Sequence, residues 1–311
     1  MRLRLRESVS HVFEQCRGHF SFPESRLQTF LARLDREPVA PLAFSFYCDL
    51  VLAVENDDLD EAAILADQLL TLPEHSGGPR IIELGDPATD LIARRYVRFV
   101  DTDPQMPLEL FAPSPAVAEA CRNQIAGAFA LMESADPELA LEIRALLREI
   151  ILAAGSTDPQ ALTFDGASSF MLWGAIVLNA NRAPGELGMV QMLAHESAHN
   201  LLFGMATDEP LLFNDPEERY ASPLRPDPRP LEGIYHATFV SARMYRSIKS
   251  ILEHGSLTPE LQTQARTDLE ADARCFVQGC ETIRRHGQLT PIGDLILQNV
   301  SRYMRENGVT A

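Results

Sequence analysis

The sequence HESAH at residues 195–199 constrains this chain more than any other feature, because it places three ionisable side chains in an apolar segment. Residues 186–204 have helical periodicity and are apolar on both sides of the motif. On a helix, His195 and His199 lie one turn apart on one face, with Glu196 near that face. Buried polar side chains need partners. The spacing therefore predicts that both imidazoles bind one divalent metal ion.

The motif by itself leaves the identity of the metal open. Zinc and iron(II) both accept imidazole nitrogen as a ligand. In a zinc peptidase, Glu196 would activate a water molecule on the metal as the catalytic base. A pair of hydrogen-bonded structural histidines is the alternative that needs no metal.

A metal held by His195 and His199 needs a third protein ligand, and the predicted helix that starts near Leu231 offers two candidates. Glu232 and His236 are four residues apart on that helix. Glu232 would complete a zinc site of two histidines and one glutamate, whereas His236 would complete a site of three histidines. We predict His236 as the third ligand and keep Glu232 as the alternative.

Two arginines lie in the proline-rich loop at 214–233 that joins these helices. Proline fixes backbone angles, and the planar guanidinium groups of Arg225 and Arg229 suit a carboxylate. We predict that they bind a carboxylate of a substrate or cosubstrate. The alternative is that they form ion pairs with the acidic residues of the chain, such as Asp215, Glu217 or Asp227.

The remaining apolar patterns predict helices for most of the chain and a few short strands. Residues 136–155 are predicted to form one helix. The predicted strands are RIIEL (80–84), RRYVRFV (94–100), LELF (108–111), ALTF (161–164) and a longer run over 170–180.

These elements predict an α+β fold that is mainly α with a small β-sheet. Its core would be zincin-like, with a strand followed by the HExxH helix, between helical N- and C-terminal parts. In zinc peptidases of that architecture, an edge strand beside the metal holds an extended peptide by backbone pairing. We expect a mostly helical region at 1–155 and a metal-binding catalytic region at 156–311, packed as one unit.

Composition excludes several classes of partner. The net charge of −17 argues against nucleic acid and anionic membranes, because both attract positively charged proteins. No run of 18 apolar residues predicts a membrane span, and no apolar core follows the charged N-terminus as in a signal peptide. We therefore expect a cytoplasmic protein whose five cysteines are buried, reduced thiols.

Four segments together resemble a bacterial family of HExxH-motif proteins. Members of this family are encoded beside ribosomally made peptide natural products and are regarded as 2-oxoglutarate-dependent peptide β-hydroxylases. The resemblance covers roughly residues 160–300. The segments that carry it are SSFMLWGAIVLNAN (168–181), LAHESAHNLL (193–202), SPLRPDPRPLEGIYHATFV (222–240) and HGQLTPIGDLIL (286–297).

The resemblance implies that Fe(II) is bound by His195, His199 and His236, with 2-oxoglutarate as cosubstrate held by Arg225 or Arg229. The substrate would be a precursor peptide, hydroxylated at the β-carbon of a side chain, with Glu196 in a supporting role. A zinc metallopeptidase is the alternative, and a non-catalytic, metal-containing protein that binds the peptide is a second alternative. The sequence leaves the oligomeric state open.

Overall fold

The protein is described by a computed structural model that covers residues 1–73, 77–101, 108–156, 164–182, 184–223 and 227–310. These residues form mainly α-helices together with one four-stranded sheet, which confirms the predicted mainly α fold with a small sheet. No helix in the described ranges combines the length and the apolar character needed to cross a membrane. The chain divides into two compact units, which we describe separately.

The first unit consists of Met1–Ser114 and Leu147–Asn181. It contains the sheet and the helices of the N-terminal part. The helices are α1 (Arg2–Gln15), α2 (Glu24–Arg36), α3 (Pro41–Glu55), α4 (Leu59–Leu70) and α5 (Asp90–Val100), and the strands are β1 (Arg80–Glu83), β2 (Glu149–Ala153), β3 (Gly166–Ser168) and β4 (Ala175–Asn179).

The sheet has the strand order β1-β2-β4-β3. Strands β1, β2 and β4 are parallel, and β3 is antiparallel to β4. Every residue of β2 and β4 is buried, as expected for central strands. Strand β4 covers only part of the strand predicted at 170–180, and it has a neighbouring strand on each side. An extended peptide cannot pair with β4, and the neighbouring edge strand β3 has only 3 residues.

Three other predictions of secondary structure were wrong. Residues 94–100 belong to helix α5, because Ala93, Tyr96 and Phe99 repeat at helical spacing and are buried together. Residues 108–111 form only an isolated bridge between Phe111 and Ala154. The single helix predicted at 136–155 ends early and is followed by β2, since a short apolar run fits a buried strand as well as a helix. The prediction for 161–164 falls largely outside the described residues.

One buried carboxylate ties the sheet to the helix α5. Glu149 of β2 is 1% exposed, accepts a hydrogen bond from the Tyr96 hydroxyl and forms an ion pair with Arg80. A buried charge is tolerated when it is paired and hydrogen-bonded in this way. Trp173, the only tryptophan, packs edge-on against Phe44 with ring centroids 5.9 Å apart, which is a core role.

The second unit consists of Pro115–Leu146 and Arg182–Ala311. Both units therefore contain residues from each side of the boundary expected at 155/156. All long elements of the second unit are helical, and α9 packs against both α8 and α10. Its helices are α6 (Pro115–Ala135), α7 (Pro137–Leu146), α8 (Gly185–Met205), α9 (Leu231–His254), α10 (Pro259–His286) and α11 (Pro291–Glu306).

Local signals in the sequence account for the ends of these helices. Thr258 and Thr290 cap α10 and α11, each accepting a hydrogen bond from a backbone N–H in the first turn, and each is followed by proline. Helix α9 ends at Gly255, whose φ of 80° is a left-handed conformation that glycine adopts without strain.

Helices α9 and α10 approach closely at Gly279. A Cβ atom added there would lie 2.0 Å from Oγ1 of Thr238 and 3.1 Å from its Cβ. The Thr238 hydroxyl is buried and donates to the carbonyl of Ile234, so it cannot move aside freely. Only glycine fits this contact, which lies two residues from His236.

We predict that Gly279→Ala lowers the free energy of unfolding by about 1–3 kcal/mol, because the added methyl overpacks the contact between α9 and α10. Chemical denaturation measures the change. Thr238→Ala removes the clashing hydroxyl, so the double variant should recover part of the loss. Strict additivity of the two single changes would contradict the proposed contact.

Candidate metal centre

The HESAH motif lies in the middle of α8, as the sequence predicts. The helix begins at Gly185, directly after Pro184, and continues to Met205. The two histidines of α8 are partly exposed, but the residues around them are buried. The packing of these buried residues holds the helix in place. The buried residues nearest the motif are Val190, Leu193, Ala194, Ala198 and Leu202.

The structure brings the three predicted histidines together. Nε2 of His195 lies 3.2 Å from Nε2 of His199 on the same helix. Nδ1 of His199 lies 2.9 Å from Nδ1 of His236, which is in the second turn of α9. His199 is therefore the central ring of a row of three imidazoles.

These separations suit nitrogens that share a metal ion. Two nitrogens that each lie about 2.1 Å from one ion are roughly 3.0 to 3.4 Å apart in octahedral or tetrahedral geometry. However, His199 turns a different nitrogen towards each neighbour, so the three rings do not surround one point. Among the described residues, no group of three or more histidine, cysteine, aspartate or glutamate side chains is arranged to hold a metal. Binding by all three histidines requires at least one imidazole to turn.

The electrostatic environment keeps the imidazoles of His199 and His236 neutral. Burial and the neighbouring His195 lower the pKa of His236 to about 4. Burial, together with His195 and His236, holds the pKa of His199 well below its usual value. A neutral imidazole has a nitrogen lone pair available for a metal, so the donor set fits Fe(II) or zinc chemically.

A row of neutral imidazoles also satisfies its own hydrogen bonds. Each neutral ring has one N–H donor and one acceptor nitrogen. His199 can thus donate to one neighbour and accept from the other, with either direction allowed. This is the structural role that the sequence left as an alternative to metal binding.

The two glutamates named from the sequence have different surroundings. Glu196 is 5% exposed and lies on α8 beside His195, and its backbone carbonyl accepts a hydrogen bond from the Asn200 amide. Glu232 lies in the first turn of α9 and is exposed. The structure therefore brings His236, rather than Glu232, to the HExxH pair.

The structure describes only one of the two loop arginines that were predicted to bind a carboxylate. Arg225 lies outside the described residues. Arg229 forms an ion pair with Asp227 at 2.7 Å, and its backbone pairs with that of Tyr220. This ion pair is one of those that the sequence offered as an alternative, and binding of a cosubstrate carboxylate by Arg229 stays a prediction.

Sequence reasoning missed an aromatic residue and an acid close to the motif. The ring of Phe203, one turn after His199, packs against His199 and His236. Asp272 of α10 is 5% exposed and accepts a hydrogen bond at 3.4 Å from Gln191, one turn before His195. Helical spacing could have revealed both: Phe203 follows the histidines at intervals of four, and Asp272 occupies a core position between Ala265 and Phe276.

Comparison of the sequence with protein-family models and with curated proteins gives no match. The likeness to HExxH peptide hydroxylases therefore rests on the four segments quoted above. The assignment of a function depends on the geometry of the three histidines and on the chemistry that they can support.

Asp272 makes the stability of the protein depend on pH. Burial raises the pKa of this carboxyl to about 8, and the nearby Asp268 adds to the effect. In the unfolded chain the pKa returns to about 4. Above pH 4 the unfolded state therefore loses a proton that the folded state keeps, and stability falls as the pH rises towards 8.

We predict that Asp272→Asn removes this loss, because asparagine stays neutral and can still accept from Gln191. The variant should gain on the order of 3 kcal/mol relative to wild type at pH 8 and much less at pH 5. Urea unfolding at both pH values measures the difference. Glu270→Gln, at an exposed position of the same helix, is the control. An equal effect of Asp272→Asn at both pH values would contradict the prediction.

Proposed function

We propose that this chain is a metal-dependent enzyme that hydroxylates the β-carbon of a side chain in a ribosomally made peptide, using Fe(II) and 2-oxoglutarate. The observation that supports it is the convergence of His195, His199 and His236, with nitrogen separations of 2.9 and 3.2 Å. The resemblance of the surrounding segments to peptide hydroxylases gives the choice of iron and cosubstrate.

We also propose that the HExxH helix belongs to a zincin-like core. The support is the order of elements along the chain, in which strand β4 is followed by a short turn and then by helix α8. Because the substrate is a ribosomally made peptide, we propose that the enzyme acts in the cytoplasm and that the precursor peptide is its main partner.

In the proposed reaction, the peptide, dioxygen and 2-oxoglutarate yield the hydroxylated peptide, succinate and carbon dioxide. Bound iron would supply the activation of dioxygen that breaks the C–H bond. His195, His199 and His236 would hold the metal, and the lowered pKa values of His199 and His236 favour the neutral form of these two ligands. Glu196 would orient a water molecule or a ligand from its buried position on α8.

The arginines have a separate task in this proposal. Arg225 or Arg229 would bind a carboxylate of 2-oxoglutarate through the paired N–H groups of its guanidinium. Arg229 is half-exposed and now paired with Asp227, so the cosubstrate would compete with that aspartate. An exposed ion pair contributes only about 0–1 kcal/mol, so the exchange costs little.

A zinc metallopeptidase is the second candidate. The observation that favours it is the buried Glu196 beside His195, since a peptidase would use this carboxylate to activate water. The exposed position of Glu232 weighs against a zinc site of two histidines and one glutamate. A non-catalytic protein that binds a peptide with a metal is the third candidate, and it predicts metal binding without turnover.

We predict that anaerobic reconstitution with Fe(II) and 2-oxoglutarate gives a weak visible absorption band. Exposure to oxygen with a precursor peptide should then give succinate and a peptide heavier by one oxygen atom, as measured by mass spectrometry. Glu196→Gln separates the candidates: a peptidase should lose nearly all activity, whereas a hydroxylase should retain some. A protein that takes up only zinc and cleaves peptides without 2-oxoglutarate would contradict the proposal.

We predict that His236→Ala weakens Fe(II) binding by at least about 100-fold. Loss of a residue that only orients a metal ligand lowers metal affinity by up to about 100-fold, and loss of the ligand itself should lower it at least as much. Glu232→Ala, one turn earlier on α9, should leave the affinity unchanged. Anaerobic calorimetric titration measures both. The reverse pattern would make Glu232 the third ligand and would favour zinc.

A further inference from the structure

Phe203 forms a cluster of three rings with two of the histidines at the candidate metal centre. Its ring is stacked on that of His199, with centroids 6.3 Å apart and planes inclined by 25°. The planes of His199 and His236 are inclined by 23°, with centroids 5.2 Å apart. The centroid of Phe203 also lies 5.4 Å from that of His236. One phenyl ring therefore contacts two of the three histidines.

We propose that Phe203 is a positioning residue that limits the orientations open to the His199 and His236 imidazoles and so favours the one in which both face a shared metal ion. The inference rests on the proposed function, because it assumes that these histidines hold the metal. It adds a residue that the HExxH motif does not contain and that the sequence alone did not identify.

The need for such a residue follows from the freedom of the imidazole ring. The last side-chain torsion of histidine is broad, so the ring's neighbours decide which nitrogen faces the metal. His199 now turns one nitrogen towards His195 and the other towards His236. A phenyl ring that is stacked on His199 and tilted against His236 limits the turns that are open to both imidazoles. Phe203 thus restricts the very torsions on which a shared ion depends.

The chemistry of phenylalanine suits this task. Its ring has no hydrogen-bond donor or acceptor, so it cannot compete with the metal for the imidazole nitrogens. Aromatic rings that pack against each other are stabilised beyond the burial of their surface. Phe203 itself stays partly exposed, unlike Phe239 of α9, which is buried in the adjacent core. Packing of the core therefore does not explain why an aromatic ring occupies this position.

The test uses cobalt(II) as a spectroscopic probe with the full-length protein. Visible absorption titrations would give the dissociation constant and the coordination spectrum for wild type, Phe203→Leu and Phe203→Tyr. The matched control is Phe239→Leu, which makes the same change in the nearby core. Circular dichroism and thermal unfolding show whether each variant folds. If Phe203→Leu does not fold, Phe203→Met applies the same test, because methionine fills irregular space.

We expect Phe203→Leu to bind cobalt about 10-fold more weakly than wild type and to have an altered visible spectrum. This loss of affinity is at the lower end of the range found when a residue that orients a metal ligand is removed. Phe203→Tyr keeps the ring and should restore both, and Phe239→Leu should lose stability but bind cobalt normally. If Phe203→Leu matches wild type in affinity and spectrum, only this inference is overturned. If wild type binds no cobalt, iron or zinc, the proposed function fails and the inference fails with it.

Discussion

The packing of α8 against α9 is the interaction on which the candidate site depends. Two histidines one turn apart on a helix lie close together in any case, but their third partner must come from another helix. Buried side chains on both helices, among them Leu202 and Ile234, belong to one core cluster. This apolar contact carries His236 to His199 at 2.9 Å. The polar row is thus positioned by the hydrophobic residues around it.

The same core explains why the site is electrostatically unusual. Imidazoles that are pressed against apolar neighbours lose the solvation that stabilises their charged forms. As a result, His199 and His236 stay neutral at pH values where a free histidine begins to take up a proton. Asp272, close to the same helix, is kept protonated for the same reason. The second unit therefore favours the uncharged forms of His199, His236 and Asp272 near the HExxH motif.

Sequence patterns predicted the proximity of the three histidines better than they predicted the sheet. The i, i+4 spacing of His195 and His199 and the position of His236 were enough to expect that they meet, because helical geometry is regular. The errors in secondary structure occurred where a short apolar run is compatible with either a helix or a strand. Residues 149–153 continued a helical pattern but pair with two strands distant in sequence. No local signal encodes such long-range pairing, and the same holds for the contact of Phe203 with His236.

The path of the chain has a consequence for how the protein forms. The first unit ends with residues 147–181, which follow the two helices of the second unit that span 115–146. Strand β1 gains its partner β2 only after those two helices have been synthesised, and β4 comes later still. A fragment that stops near residue 155 would lack β4 and would contain α6 and α7 without their partner helices α8 and α9. The protein therefore cannot be divided by one cut into two self-sufficient halves.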